Sequence, residues 1–303
     1  MKKGEKREIA EIFPFLLVGG LFILIDGLAL LVANTFEAAG VRAFENPNDP
    51  LDLVYFFLAL LLLTGAILLI SKFHKQTVKG VFLGSIGLFS FYVFYSLSAT
   101  VIPELLSIGF SIAATAALII VLVKYPEWYV IDACGVVISV GSIATFGISL
   151  NILPVIVLLI GMAIYDAISV YKTRHMIDLA DTVLKLKLPV MLVVPRIRNY
   201  SLIKETRSLK ERLKEGEERN AFFIGLGDIV FPGILVTSTF YNITSNGLPI
   251  ALSVMLGTLF GFIPLMGSVI KGKPQAGLPY LCGGAVLGYL VSSFLLFGKL
   301  VGL

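Results

Sequence analysis

Charge is what this chain has least of. Only 15% of its 303 residues are Asp, Glu, Lys or Arg, against 57% apolar residues and a mean hydropathy of +0.93, whereas about a quarter of a soluble domain is charged. This scarcity excludes a soluble globular enzyme and places most of the chain in lipid. Histidine is nearly absent too. His74 and His175 both fall in polar segments, so a membrane-embedded Ser-His pair lacks its base, and without an H-E-x-x-H sequence the zinc-protease route is closed. The two cysteines, Cys134 and Cys282, lie within apolar stretches and read as small buried hydrophobes, not as a disulfide framework. Neither a fixed-period repeat nor a low-complexity tract is present. The first apolar stretch runs about 25 residues with no small-residue cleavage site, so it is expected to stay as a helix and not to be removed as a signal peptide.

What is present are nine apolar stretches, roughly 10–35, 51–71, 80–102, 104–123, 129–150, 152–171, 221–243, 248–270 and 276–298, each near the ~20 residues that cross a hydrocarbon core. The expected fold is therefore all-α and polytopic, with nine transmembrane helices. Lys and Arg fix its orientation, because positive flanks stay cytoplasmic. With the N-terminus inside, the inner segments hold 22 of the 24 Lys and Arg, and only Arg42 and Lys299 lie outside. The C-terminus is then external. These basic segments lie against anionic lipid, so the net charge of +4 implies no nucleic-acid partner.

One long polar segment, 172–220, divides a six-helix part (1–171) from a three-helix part (221–303). Its first portion sets Met176, Leu179, Ala180, Val183 and Leu184 at helical spacing with Lys185 and Lys187 after them, the pattern of an interfacial amphipathic helix. The Val-rich run from Val190 to Val194, bounded by Pro189 and Pro195, is too short to span and reads as a strand or an apolar plug. From Lys204 to Arg219 the segment is strongly charged and reads as a solvated linker.

Beyond the first two residues of each predicted span, four carboxylates remain inside: Asp26, Asp132, Asp166 and Asp228. A charge in lipid costs free energy, so each is a candidate functional group. Depth separates them. Asp166 lies six residues before Lys172, roughly 9 Å from the inner boundary, and Asp228 nine residues after Arg219, roughly 13 Å from it, at 1.5 Å per helical residue. On consecutive antiparallel helices these two can face each other. Asp132 is close enough to the boundary to reach water or cap its helix, and Asp26 reads as a hydrogen-bonded structural group or a substrate gate. Asp166 follows Tyr165, and Asp228 closes Gly225-Leu226-Gly227-Asp228, whose glycines clear side chains from beside the carboxylate.

On Ile164-Tyr165-Asp166 and Gly225-Leu226-Gly227-Asp228-Ile229-Val230-Phe231-Pro232-Gly233-Ile234, the chain resembles the presenilin and signal peptide peptidase family of GxGD intramembrane aspartyl proteases, most closely its archaeal presenilin-like members. The resemblance implies that Asp166 and Asp228 are the catalytic dyad, supported by Tyr165, Gly225, Leu226 and Gly227. It also implies that a Pro-Ala-Leu motif opens the ninth helix beside them. Here Ala276-Gly277-Leu278-Pro279 occupies that place as the expected substrate-binding segment, keeping the Leu-Pro of the pattern and departing at the two residues before it. Prepilin peptidases share a GxGD pattern, but a basic residue is expected soon after their Asp, and Ile229-Val230-Phe231-Pro232 has none.

The expected chemistry is peptide hydrolysis in or near the transmembrane segments of helical membrane proteins. Two carboxylates a few Å apart in a low-dielectric site share one proton and titrate as a pair; the ionised one activates water and the protonated one donates to the scissile carbonyl. No metal and no cofactor is required. Val190 to Val194 and the backbone around Leu278 are the candidate edges for an unwound substrate. The expected setting is the cell membrane, and self-association as a homo-oligomer is an open alternative to a monomer. A proton- or ion-coupled transporter could use the same buried pair, and a non-enzymatic scaffold is a third reading. The transporter calls for an inverted repeat of interrupted helices, and Gly-Leu-Gly-Asp occurs once only.

Overall fold

The structure is a computed structural model that describes residues 3–44, isolated positions between 51 and 62, and residues 75–173, 189–196, 200–203, 221–243, 246–270 and 275–302. The second expected span, 51–71, lies largely outside the described residues; the amphipathic segment 174–188 and the charged segment 204–219 lie wholly outside them. The described elements are α1 (Lys3–Ala38), α2 (Lys75–Ala99), α3 (Glu104–Lys124), α4 (Trp128–Ser149), α5 (Ile152–Ile168, prolonged by the π-helical turn Ser169–Thr173), β1 (Met191–Pro195), β2 (Ala221–Gly225), α6 (Leu226–Asn242), α7 (Gly247–Ile270) and α8 (Leu278–Phe297).

Seven of these helices, all but α6, are long and apolar enough to cross a membrane. Their outward faces carry Leu16, Leu105, Phe260 and Leu295 at 64%, 82%, 70% and 77% exposure. Apolar surface of that kind drives aggregation in water and is what lipid requires. The chain is thus a predominantly helical, multi-pass integral membrane protein.

The expected span at 221–243 is corrected in its first turn. Ala221 to Gly225 form β2, and α6 starts only at Leu226. Phe222, Phe223 and Ile224 are aromatic and β-branched residues that suit a pleated surface, and β1 supplies the backbone partners. The two strands pair antiparallel with Met191 opposite Gly225 and Pro195 opposite Ala221. The Leu226 N–H extends the ladder to the Val190 carbonyl at 3.1 Å. Gly225, at φ −61° and ψ 138°, is the extended residue that ends the strand and caps the helix. The 17 residues left in α6 span about 26 Å at 1.5 Å each, near the lower limit for a crossing helix.

α4 is the hub. Two thirds of its span is buried, 67% against 22–33% for the other six, because α1, α2, α6 and β1 all pack on it. A core of Phe22 and Ile25 from α1, Ile143 from α4, Ile229 from α6 and Phe262 from α7 also takes in Leu192 and Val194 of β1, which ties the small sheet to the bundle.

α7 and α8 meet backbone to backbone. A Cβ added at Gly257 or Gly261 of α7 would overlap the carbonyls of Gly284 or Tyr280, and one added at Gly284 or Gly288 of α8 would overlap those of Gly257 or Ser253. Each helix thus carries a small-x-x-x-small pair, the pattern that lets membrane helices close without a hydrophobic driving force.

Candidate active site

Three helix ends converge on the expected dyad. Asp166 sits in the last turn of α5 and Asp228 is the third residue of α6. Between them comes the start of α8. The Leu278 N–H, first of the unpaired donors at that helix end, donates to Asp166 Oδ2 at 3.1 Å. Asp166 therefore caps α8 from another helix, as an Asp does at its own N-cap, and α8 has no other side-chain cap. Asp166 is 2% exposed, and its Oδ1 has no hydrogen-bond partner among the described residues.

Asp228 is partly buried and folds back on Gly225. Across from it is Gly277, where an added Cβ would lie 3.0–3.1 Å from all three atoms of the carboxyl group. Gly277 and Leu278 thus present a bare α-carbon to Asp228 and an amide to Asp166. Cys282 lies one turn further along the buried face of α8. A second tie closes the same corner: the Tyr171 hydroxyl, in the π-helical turn after Asp166, donates to Gln275 Oε1 at 2.6 Å.

The other expected residues separate by what they touch. Ala276 is fully buried, Leu278 is 5% exposed and Pro279 lies in the first turn of α8. Leu226, 7% exposed, packs its side chain against Gly135 of α4. Cβ atoms added at Gly225 and Gly227 would meet only ordinary contacts, 3.7 Å to Asp228 Oδ2 and 3.4 Å to the Phe231 ring. These two glycines leave space beside Asp228 that no packed neighbour demands. Tyr165 is 60% exposed and makes no hydrogen bond to either carboxylate among the described residues.

Asp26 is not part of this cluster. It is 2% exposed on α1, with no hydrogen-bond partner for Oδ1 among the described residues, and faces Gly233 of α6 and Ile143 of α4. Gly233 lies five residues beyond Asp228, about 7.5 Å along the helix. Asp132 does not cap its own helix, whose N-cap is Glu127. It lies in the second turn of α4, 8% exposed, and accepts the Val193 N–H of β1 at 2.7 Å. Three contributors escaped the sequence reading. The tie from Asp132 to β1 and the one from Tyr171 to Gln275 join residues 61 and 104 positions apart, beyond local pattern. The Leu278 amide is a backbone group with no side-chain signature.

Two carboxylates gathered at one corner of a helical multi-pass bundle agree with the aspartyl-protease expectation, and comparison with known proteins gives the family. Residues 19–299 match the signal-peptide peptidase, presenilin aspartyl protease family. A presenilin family intramembrane aspartate protease solved in a C222 crystal form is 32% identical, with a TM-score of 0.69 over 93% of this chain and 99% of that one. The same kind of protein in a P2 form is 31% identical, with a TM-score of 0.67 over 91% of this chain and 96% of the other. No curated protein matches. The chain belongs to the signal-peptide peptidase and presenilin family, and it is an intramembrane aspartyl protease.

Proposed function

We propose that Asp166 and Asp228 are the catalytic pair and that they hydrolyse peptide bonds in helical membrane-protein substrates by general acid/base catalysis. The observation that carries this reading is the division of labour on Asp166. Its Oδ2 is anchored by the Leu278 N–H while its buried Oδ1 has no hydrogen-bond partner among the described residues, so one oxygen is fixed and the other is available to chemistry. The pair shares one proton, because two ionised carboxylates at such range repel. The ionised member takes a proton from water as the water oxygen attacks the scissile carbonyl carbon, and the protonated member gives its proton to the carbonyl oxygen. Collapse of the resulting gem-diol breaks the C–N bond. The amine leaves with the proton of one carboxyl while a gem-diol hydroxyl gives its proton to the other as the C=O reforms, so the pair is left singly protonated.

The substrate arrives as a helix whose amides are internally bonded, and it must unwind before attack. The sheet offers a place for the unwound strand. Hydrogen-bonded pairs alternate along an antiparallel ladder. With Val190 bonded to Leu226, residues Met191, Val193 and Pro195 turn their backbone groups away from β2. Pro195 has no N–H and that of Val193 is taken by Asp132. At two of its three outward positions β1 thus has no N–H to offer, which favours β2 over the Val190–Val194 edge as the place where the substrate pairs. On β2 the Phe223 N–H and C=O point outward by the same register, four residues from Gly227 and five from Asp228. An extended segment added there runs toward the dyad through the space that Gly225 and Gly227 leave, with Ala276 to Pro279 on its far side.

The same reading takes the chain as nine spans with the N-terminus cytoplasmic and the C-terminus external, in a six-helix part (1–171), a loop (172–220) and a three-helix part (221–303). The location of 22 of the 24 Lys and Arg supports it. It sets the protein in the cell membrane, as a monomer or a homo-oligomer.

The pH dependence of cleavage tests the mechanism. Below the lower apparent pKa both carboxyls are protonated and no base remains; above the upper one both are ionised and no acid remains. The kcat/KM for a transmembrane peptide therefore follows a bell, while circular dichroism recorded beside it stays constant. A rate that climbs steadily into alkaline solution contradicts the shared proton.

A further inference from the structure

We propose that the inner end of α4 is a clamp that positions the β1–β2 sheet for substrate, with Asp132 and Glu127 as its jaws. The proposal rests on the reading above, in which the open edge of β2 takes the substrate backbone. Both acids accept hydrogen bonds from the polar segment that separates the two parts of the bundle. Asp132 Oδ1 takes the Val193 N–H at 2.7 Å, Glu127 Oε2 takes the Leu202 N–H at 3.0 Å, and Glu127 Oε1 takes the Ser201 hydroxyl at 2.7 Å. Bonds from neutral donors to carboxylates are stronger than neutral pairs, and these three fix the segment on either side of residues 197–199.

The same face of α4 is shaped for the sheet. Gly135, three residues after Asp132 and hence beside it on the helix, lies under two side chains: an added Cβ would be 2.9 Å from Leu192 Cδ2 and 3.1 Å from Leu226 Cδ2. Val130, Ile131 and Cys134 pack with Val193, Tyr200, Leu202 and Ala221 in one buried cluster. α4 is the most enclosed helix of the bundle, so it is a rigid base. β1 is held to it, β2 is held to β1, and β2 continues into α6 without a break.

Asp166 and Leu278 are joined to each other by a hydrogen bond that does not involve α4, and α6, which carries Asp228, packs on α4 directly and not only through the sheet. Loosening the clamp therefore frees the substrate edge more than the chemistry. Asp132 and Glu127 are positioning residues, and their signature is a rise in KM with kcat nearly kept.

The test uses the full-length protein in nanodiscs with a single-pass transmembrane peptide as substrate. Asp132→Ala is expected to raise KM about tenfold, the effect of losing one bond to a charged acceptor, with kcat within about threefold of wild type. Hydrogen exchange at residues 191–194 should be faster. Asp132→Asn, which keeps a carbonyl acceptor for Val193, is expected to return KM and exchange to within about threefold of wild type. Glu127→Ala, at the more exposed end of the clamp, gives the same direction with faster exchange at Leu202, and it stands in if Asp132→Ala does not fold. Folded Asp132→Ala or Glu127→Ala with wild-type KM overturns the proposal, as does a fall in kcat alone or an Asp132→Asn variant as impaired as Asp132→Ala. Asp166→Asn is run in parallel: cleavage by that variant would mean that the dyad assignment has failed, whereas its inactivity beside a normal Asp132→Ala condemns the clamp alone.

Discussion

Asp166→Asn and Asp228→Asn each lower peptide cleavage by about 100- to 10,000-fold, the range lost with a general acid or base, while the protein still inserts and folds. The isostere explains both halves. An amide fills the space of the carboxyl, and in Asp166→Asn its oxygen still accepts the Leu278 N–H that anchors α8, but it can neither take a proton from water nor give one to the carbonyl. The two variants should also fail to add. Once either member is gone the remaining carboxyl has no partner to share a proton with, so the double variant is no worse than the singles, as residues acting as a unit behave. Purified variants compared in detergent against one transmembrane peptide, with melting temperature as the control, decide this. Retained cleavage in either single variant removes that residue from the pair.

The second large effect comes from a residue that touches neither carboxylate. Gly284→Leu abuts the Gly257 carbonyl in a contact already made backbone to backbone, so α7 and α8 must separate. α8 begins at Leu278 with Gly277 as its N-cap, the residues set between the carboxylates, and a displacement near 1 Å at a catalytic group costs about 100-fold. Gly284→Leu is therefore expected to cost about 100-fold in cleavage and about 1–3 kcal/mol in stability, the usual penalty of overpacking. The control is the adjacent glycine. A Cβ at Gly283 meets nothing within 4 Å, so Gly283→Leu keeps both activity and melting temperature. Equal damage from the two variants would mean that a leucine anywhere on this turn disturbs α8, and the close-approach argument would fall.

How much of this was legible in advance depends on how local each signal is. The long apolar helices follow from composition and spacing. The joints at Pro103 and Asn151 were also visible, because Pro103 and Asn151 stand at the N-caps of α3 and α5. Similar depths for Asp166 and Asp228 came from counting residues to the basic flanks, and the structure has Gly277 against one and Leu278 against the other. The first turn of the 221–243 stretch was misread because Ala221-Phe222-Phe223-Ile224 runs unbroken into α6. Periodicity cannot separate a short apolar strand from a helix start. Asp132 was read as reaching water or capping its own helix because its real partner, Val193, is brought to it only by the fold.

The central claim is that water, activated by the Asp166–Asp228 pair, attacks the peptide bond directly. Cleavage of a transmembrane peptide under single-turnover conditions in water enriched in oxygen-18, with the products weighed by mass spectrometry, tests it without assuming which carboxylate is protonated. A direct attack places one labelled oxygen in the new carboxylate of the N-terminal fragment, and no enzyme molecule gains the mass of that fragment at any time. An unlabelled carboxylate after one turnover, or a covalent adduct between enzyme and fragment, would contradict the account.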